Sequence, residues 1–478
     1  MKPLGISVLV SVIASLAADF ARGDWSRFRG DNGSGVSDAT GLPLIFGPDQ
    51  NLIWKVPLPP GHSSPVIAGD RLFLTANTED TLFTYCLEIE SGKILWRREA
   101  PRPRKEPFHE MHGPASPSPV TDGSNVYVFF GDFGLLSYGP DGNERWRLPL
   151  GPFKTPNGHG TSPILVEGLL ILLNDQDTAA CLLAIDTDSG SIVWRAERPE
   201  AAHGYSTPTV YRPQGGPAQI VVAGSYQLTS YSIEKGEKLW WVRGLTWQLK
   251  PSPVVERDTI FVTGWAPGAD DIERLSLPAF QEAIAAGDAD QDKKISEPEA
   301  IDHNWRHKGG WGLVDMDGDG SLDEREWNFL KARLSAHNVT MAIQPGSSRG
   351  DLTQSAISWT YTRAVPVVSS PLYYQGILYT IKDGGILTSF NAQTGEMLKQ
   401  GRLSGAIEKY LASPVAGDNK IYIASETGKI VVISPGAQWE VLQINDLGAS
   451  VYATPAIGDR RLFVRTVDAL FAFGSSSD

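Results

Sequence analysis

Sulfur is scarce in this sequence, and so is positive charge. Two cysteines, Cys86 and Cys181, stand among 478 residues with only five methionines. That is too few for a disulfide framework or for a cysteine-rich metal site. Asp and Glu (55) outnumber Lys and Arg (42), and no basic stripe offsets them, so no nucleic-acid partner is expected. Long apolar runs are also missing, except for Leu4 to Ala18, which follows Lys2 and precedes Asp19. That run is shorter than the roughly 20 residues a membrane-spanning helix needs, so no transmembrane segment is expected. Its basic start and small-residue end read as a signal peptide over residues 1–22, against the alternative of a buried N-terminal helix. No cysteine lies near the cleavage region to carry a lipid. The expected location is therefore outside the cytoplasm, periplasmic or extracellular.

Turn-forming residues are abundant, with 49 Gly and 33 Pro. They fall in a repeat. A Ser-Pro or Thr-Pro pair opens an apolar run at Pro65, Pro119, Pro163, Pro208, Pro253, Pro371, Pro414 and Pro455. Each run leads through short alternating segments and a Gly-containing turn toward a Trp, as in "ESGKILW" at Trp96 and "DSGSIVW" at Trp194. Later copies read "AISW" at Trp359, "TGEMLK" without the Trp, and "GAQW" at Trp439. β-branched and aromatic runs of this length read as strands, and four strands per period of about 44 residues make a propeller blade. The last copy is too short for four strands, and "NLIWKVPLP" at Asn51 to Pro59 supplies the missing one. The expected fold is all-β, an eight-bladed propeller of four-stranded blades closed by joining the two chain ends. The alternative is an irregular set of sandwiches. The repeat Trp residues are expected to dock on neighbouring blades.

The form "AIDTDSGSIVW", Ala184 to Trp194, resembles the repeat of the pyrroloquinoline-quinone-binding-like propellers, and "DWSRFRGDNGSG" at Asp24 to Gly35 resembles the N-terminal signature of exported members. The resemblance implies the fold more strongly than a function. It covers quinone-dependent alcohol and sugar dehydrogenases and a non-catalytic factor of outer-membrane assembly. A dehydrogenase of that kind needs a carboxylate base, a channel calcium, cationic contacts to three quinone carboxylates and an aromatic platform. The adjacent Cys-Cys pair of the alcohol-oxidising branch is absent.

One interval is 118 residues long and carries a helical insertion over 265–338, leaving 23–50 as a lead-in and 51–264 with 339–474 as the ring. From Asp270 to His337 the insertion holds 16 acidic and 8 basic residues, so most of the net charge of -13 is local. Asp315, Asp317, Asp319, Gly320, Ser321 and Glu326 match the twelve-residue calcium loop at every specified place. Carboxylates at positions one, three and five, a carbonyl at seven and a Glu at twelve supply the oxygens calcium prefers. A second loop offers Asp288, Asp290, Asp292, the Lys294 carbonyl and Glu299, with Lys293 where Gly is usual. The pair resembles an EF-hand pair, with Ile295 and Leu322 in the places that join the two loops. Two calcium ions are expected; solvated acidic turns are the alternative. The connector between the loops holds three glycines, so the second entering helix is expected to be short or distorted.

The insertion follows the second strand of blade five, which places it on the face where loops enter the inner strands and where it would cover one mouth of the channel. Those loops and their neighbours on the same face bring His62, His112, His159, His203, Asp132, Asp177, Lys382 and Asp383 toward the axis as a candidate ligand site; Lys250, Lys409 and Tyr452 come from later blades. The alternative is that the histidines only satisfy backbone groups. The stretch from Pro101 to Pro117 is expected to fold over the same mouth. Together these features point to an exported calcium-binding propeller acting as a binding or scaffold protein at the cell envelope, with a protein or a small polar ligand at the mouth. A pyrroloquinoline-quinone-dependent oxidoreductase is the alternative function.

Overall fold

The computed structural model describes residues 25–267, 277–305 and 310–474. The segment read as a signal peptide lies outside them. Eight blades of four antiparallel strands follow one another along the chain, from Val66–Ala68 at the inner edge of blade one to Ala469–Gly474 in blade eight, and blade four gains a short fifth strand, Gly350–Asp351, parallel to Lys238–Arg243. Leu52–Pro57 completes blade eight as its outer strand by pairing with Ala469–Gly474, so the early chain closes the ring. Blade five is split as expected: Thr259–Gly264 pairs with Val339–Ile343 across the whole insertion. Among the described residues, no helix is long and apolar enough to cross a membrane.

A propeller must deal with the unpaired backbone groups of eight inner edges. Here the Ser or Thr before each repeat Pro does so. The Ser64 N–H donates to the Ser118 hydroxyl, Ser118 to Ser162, Ser162 to Thr207, Thr207 to Ser252, Ser252 to Ser370, Ser370 to Ser413, Ser413 to Thr454, and Thr454 back to Ser64. Every distance lies between 2.9 and 3.2 Å. The following proline brings no N–H that would need a partner, and it biases the residue before it toward extended backbone. The repeated dipeptide thus builds a closed girdle of eight hydrogen bonds around the axis.

At the outer rim, the seams are filled by tryptophan. Trp54, Trp96, Trp146, Trp194 and Trp359 each donate an indole N–H at 2.8 to 3.0 Å to a turn carbonyl of the next blade. The turn glycine, for instance Gly190 against Trp146, lies flat on the ring; a Cβ there would stand 2.6 Å from an indole carbon. Two copies depart from the pattern. Trp240 bonds to Gln219 of its own blade. Trp439 precedes its strand, Val441–Asp446, by two residues and packs backward, with Lys399 Nζ 4.3 Å above its ring. Lys399 occupies the Trp place of blade six, so the indole at that seam comes from the opposite side.

The lead-in runs across the far end of the channel. Carbonyls of Trp25 and Ser26 accept from Ile67 and Thr121 in blades one and two, Asn32 bonds both backbone groups of Val210 in blade four, and Gly35 with Ser37 brackets Ala416 in blade seven. Arg27 donates to Pro208 O at 2.6 Å and Arg29 to Pro371 O at 2.7 Å. The resembling N-terminal signature is therefore a plug, and the channel is divided in two.

Candidate functional site

Above the plug lies a cavity of about 450 Å³, with Phe28 from the plug at its lining. All eight girdle residues line it. Around the mouth stand His62, His109, His112, Lys250, Lys409, Asp383 and Tyr452, with Trp265 and Pro267 from the root of the insertion. The strap Pro101 to Pro117 closes over one side, as the sequence predicts: His109, Met111, His112 and Ser116 belong to the lining, and the Ala115 carbonyl accepts the His62 and Ser63 N–H groups.

The eight residues expected at the mouth divide. His62, His112 and Asp383 are there. His62 packs against Tyr452, ring centres 4.7 Å apart, and burial, assisted by Arg465, pushes its pKa down to about 4. Burial pushes His112 to about 3, with His62 and His159 adding to the shift, and neither of its ring nitrogens has a partner. Asp383 accepts the Tyr410 N–H at 2.9 Å.

The other five are elsewhere. His159 is buried edge-on against Phe129 and Phe153. His203 pairs with Asp177 and meets Trp247 edge-on beneath the insertion. Asp132 is buried in an ion pair with Arg102 at 2.6 Å and also accepts the Glu106 N–H, so it clamps the strap instead of facing the cavity. Asp175, on the same face, is likewise held by Arg198. Lys382 ends the strand Ile377–Lys382 and is not part of the lining. Equivalent repeat positions therefore do not become equivalent mouth positions, because the strap and the insertion cover blades two to four unequally.

Lys250 carries the clearest perturbation among the lining cations. Burial pushes it down to about 8, with Gln248 Oε1 at 3.1 Å and Trp265 5.9 Å from the ammonium. The girdle hydroxyls were visible in the sequence as the repeated Ser-Pro and Thr-Pro pairs. Periodicity marks them as strand starts and gives no hint that they face a ligand space.

The insertion has its own core, including Phe280, Ile295, Leu322, Trp327 and Leu330. Helix α1 (Phe280–Gly287) leads into the first acidic loop and α2 (Glu297–Asp302) leaves it. A single 3-10 turn, Trp311–Leu313, precedes the second loop, in keeping with its glycine-rich connector, part of which (306–309) is outside the described residues. Helix α3 (Glu324–Ser335) follows, with Asp323 accepting the Glu326 N–H as its cap. Ile295 pairs with Leu322 and Ser296 with Ser321 in a short antiparallel bridge. Backbone shape matches loop for loop. Gln291 and Lys293 have φ of 64° and 67°, and their counterparts Gly318 and Gly320 have 79° and 95°. Lys293 thus takes the left-handed bend that Gly320 takes without strain.

Carboxylate oxygens of Asp288, Asp290 and Asp292 lie within 4.8 Å of one another, as do those of Asp315, Asp317 and Glu326. The terminal glutamates fold onto their own loops: Glu299 accepts the Ala289 and Ser296 N–H groups, and Glu326 accepts those of Met316 and Asp323. Burial raises the Glu326 carboxyl above its usual range. The Lys294 ammonium reaches across to Asp319 of the other loop.

The module is on the expected face but beside the mouth, not across it. Arg325 donates to the Pro199 and Ala201 carbonyls, Tyr226 to the Phe329 carbonyl, and Arg333 lies 4.0 Å from the Trp247 ring centre. These are contacts to the rim of blade four. No described residue of the insertion beyond Pro267 lines the cavity.

Residues 135–266 match the family model described as outer membrane protein assembly factor BamB. None of the curated proteins matches the chain. Among solved structures, BamB from Moraxella catarrhalis is similar at 11% identity and TM-score 0.55, covering 89% of this chain and 99% of that one. A europium-containing methanol dehydrogenase is similar at 8% identity and TM-score 0.59, with 95% and 98% covered. Quinohemoprotein alcohol dehydrogenase from Comamonas testosteroni is similar at 12% identity and TM-score 0.55, with 96% and 82% covered. The resemblance to that family covers residues 135–266, and the ring as a whole has the propeller fold these structures share. One architecture serves an assembly factor and two dehydrogenases.

Proposed function

We propose that this protein is an exported, calcium-binding propeller that works by binding, at the cell envelope, a small polar ligand bearing an acidic group. The observation that supports this reading is the balance of groups in the upper cavity. The eight girdle hydroxyls, Ser116, Tyr205, Tyr452 and the cations Lys250 and Lys409 line it, against a single carboxylate among the described residues, Asp383, already engaged by the Tyr410 N–H. Lys250 is desolvated, so an acidic partner would gain more there than at an exposed lysine.

A quinone dehydrogenase needs more acid than this. Calcium in the channel would require several oxygen ligands with carboxylates among them, and a further carboxylate would have to act as base. Asp383 cannot fill both places, and among the described residues no second acidic side chain is present in the lining. The donor set does not fit the quinone with its calcium. Incubation with calcium and pyrroloquinoline quinone, followed by desalting, should leave no cofactor absorbance and no dye reduction with alcohols or sugars. Retained cofactor with turnover would overturn the binding reading.

Calcium belongs instead to the insertion. Asp288, Asp290, Asp292, the Lys294 carbonyl and Glu299 would hold one ion; Asp315, Asp317, Asp319, the Ser321 carbonyl and Glu326 would hold the other. Binding would require Glu299 and Glu326 to turn from their backbone contacts toward the metal, and Asp319 to release Lys294. A calcium-loaded module would stiffen the rim of blade four, where Arg325 and Arg333 anchor it.

A further inference from the structure

We infer that the plugged end of the channel holds a small anion between the guanidinium groups of Arg27 and Arg29. Arg29 is fully buried and Arg27 is 6% exposed. Each spends one nitrogen on an inner-strand carbonyl, Pro208 or Pro371, and Arg29 adds a long contact of 3.5 Å to Ser34 O. Nε of both residues and Nη1 of Arg29 have no partner, and neither does the buried indole nitrogen of Trp25 beside them in sequence.

Neither guanidinium forms an ion pair among the described residues. Asp31 attracts Arg27 from a distance without pairing with it. Burial pushes Arg27 down to about 10 and Arg29 to about 9, the latter also through repulsion from Arg27, so both are charged at neutral pH. Of the other fully buried arginines, Arg198 has both oxygens of Asp175, and Arg465 has carbonyls on Nε and Nη2 with only Nη1 unpartnered, whereas Arg29 leaves both Nε and Nη1 without one. Two neighbouring buried cations without a counter-charge are unfavourable, because each has given up its hydration without gaining a partner. A second cavity of about 640 Å³ reaches Arg27, though not Arg29, from the face opposite the upper cavity; Asp31, Asp38 and Glu256 also line it, and none of them forms an ion pair with Arg27. Planar N–H donors with no paired carboxylate suit a halide or a carboxylate group. The inference does not depend on the ligand of the upper cavity.

Chloride-35 NMR of the intact protein tests it. The chloride line should broaden in proportion to protein, narrow again on addition of nitrate, and stay narrow with folded Arg29→Gln. No protein-dependent broadening, or broadening unchanged in Arg29→Gln, overturns the assignment. Should the variant not fold, wild-type crystals soaked in bromide decide: an anomalous peak in contact with both guanidiniums is expected, and its absence refutes the site. Competition by acetate distinguishes the sources of the anion. Displacement of chloride by acetate shows that the carboxylate end of a larger molecule is accepted, and failure to displace restricts the site to inorganic ions.

Discussion

Two glycines separate backbone conformation from packing at the blade seams. Gly190 and Gly168 have nearly the same φ, 73° and 76°. Alanine at either place carries a similar left-handed penalty, about 1 kcal/mol. Their surroundings differ. A Cβ at Gly168 meets nothing within 4 Å, whereas at Gly190 it stands 2.6 Å from Cδ2 of Trp146. The indole cannot retreat freely, because its N–H is held by Thr187 O at 2.9 Å and its ring lies against Tyr127. Overpacking of this kind adds about 1–3 kcal/mol. Gly168→Ala should therefore lower stability by about 1 kcal/mol and Gly190→Ala by about 3, read as urea midpoints at constant slope. Trp146→Ala alone should cost about 3–5 kcal/mol, and in that background Gly190→Ala should fall back to about 1. Equal losses for the two glycine variants, or strict additivity with Trp146→Ala, would refute the seam reasoning.

The calcium assignment predicts that calorimetry on Asp315→Ala with Glu326→Ala shows one fewer ion than wild type while the propeller's circular dichroism is unchanged; two ions still bound would sink it. Ser118→Ala removes the acceptor of the Ser64 N–H, a buried donor, and should cost about 1–3 kcal/mol, whereas Ser124→Ala on an exposed turn should fall within about 0.5 kcal/mol in the same unfolding assay. Acid should weaken the fold through His62, His112 and His159, whose folded pKa values of about 4, 3 and 4 lie below the ordinary value of 6.5. The unfolded chain binds more protons in that window, so stability is complete above about pH 6.5 and falls as pH drops toward 4, by at most about 3 kcal/mol per histidine. His159→Leu should flatten that dependence in urea titrations at pH 7, 5.5 and 4.5, and an unchanged slope would count against a buried neutral imidazole.

The ring was readable in the sequence because each blade repeats one physical task, and Ser-Pro with Gly-turn-Trp marks where that task is done. Trp439 shows where such reading fails. A turn followed by Trp does not fix strand register: Gln443 takes the pairing place that Trp194 has in its blade, and Trp439, four residues earlier, packs on the other side of the seam. The mouth was less legible still. His159 and His203 occupy the repeat positions of His62 and His112, but aromatic neighbours and the insertion absorb them, and those contacts come from distant segments with no period. The plug left no periodic trace either, since a segment crossing the axis meets each blade once. Arg27 and Arg29 therefore have no task that the sequence pattern reveals.

The closing strand also dictates an order of assembly. Leu52–Pro57 is synthesised more than 400 residues before its partner Ala469–Gly474, so seven blades can form while the earliest strand still waits with its backbone unpaired. Contacts that distant in sequence form slowly. Until the clasp shuts, Leu52–Pro57 and the outer side of Ala469–Gly474 present raw edges to any neighbouring chain. A truncation before Ala469 should thus yield an open arc that associates through its unpaired strand edges, because the protein can close upon itself only once the last strand is made.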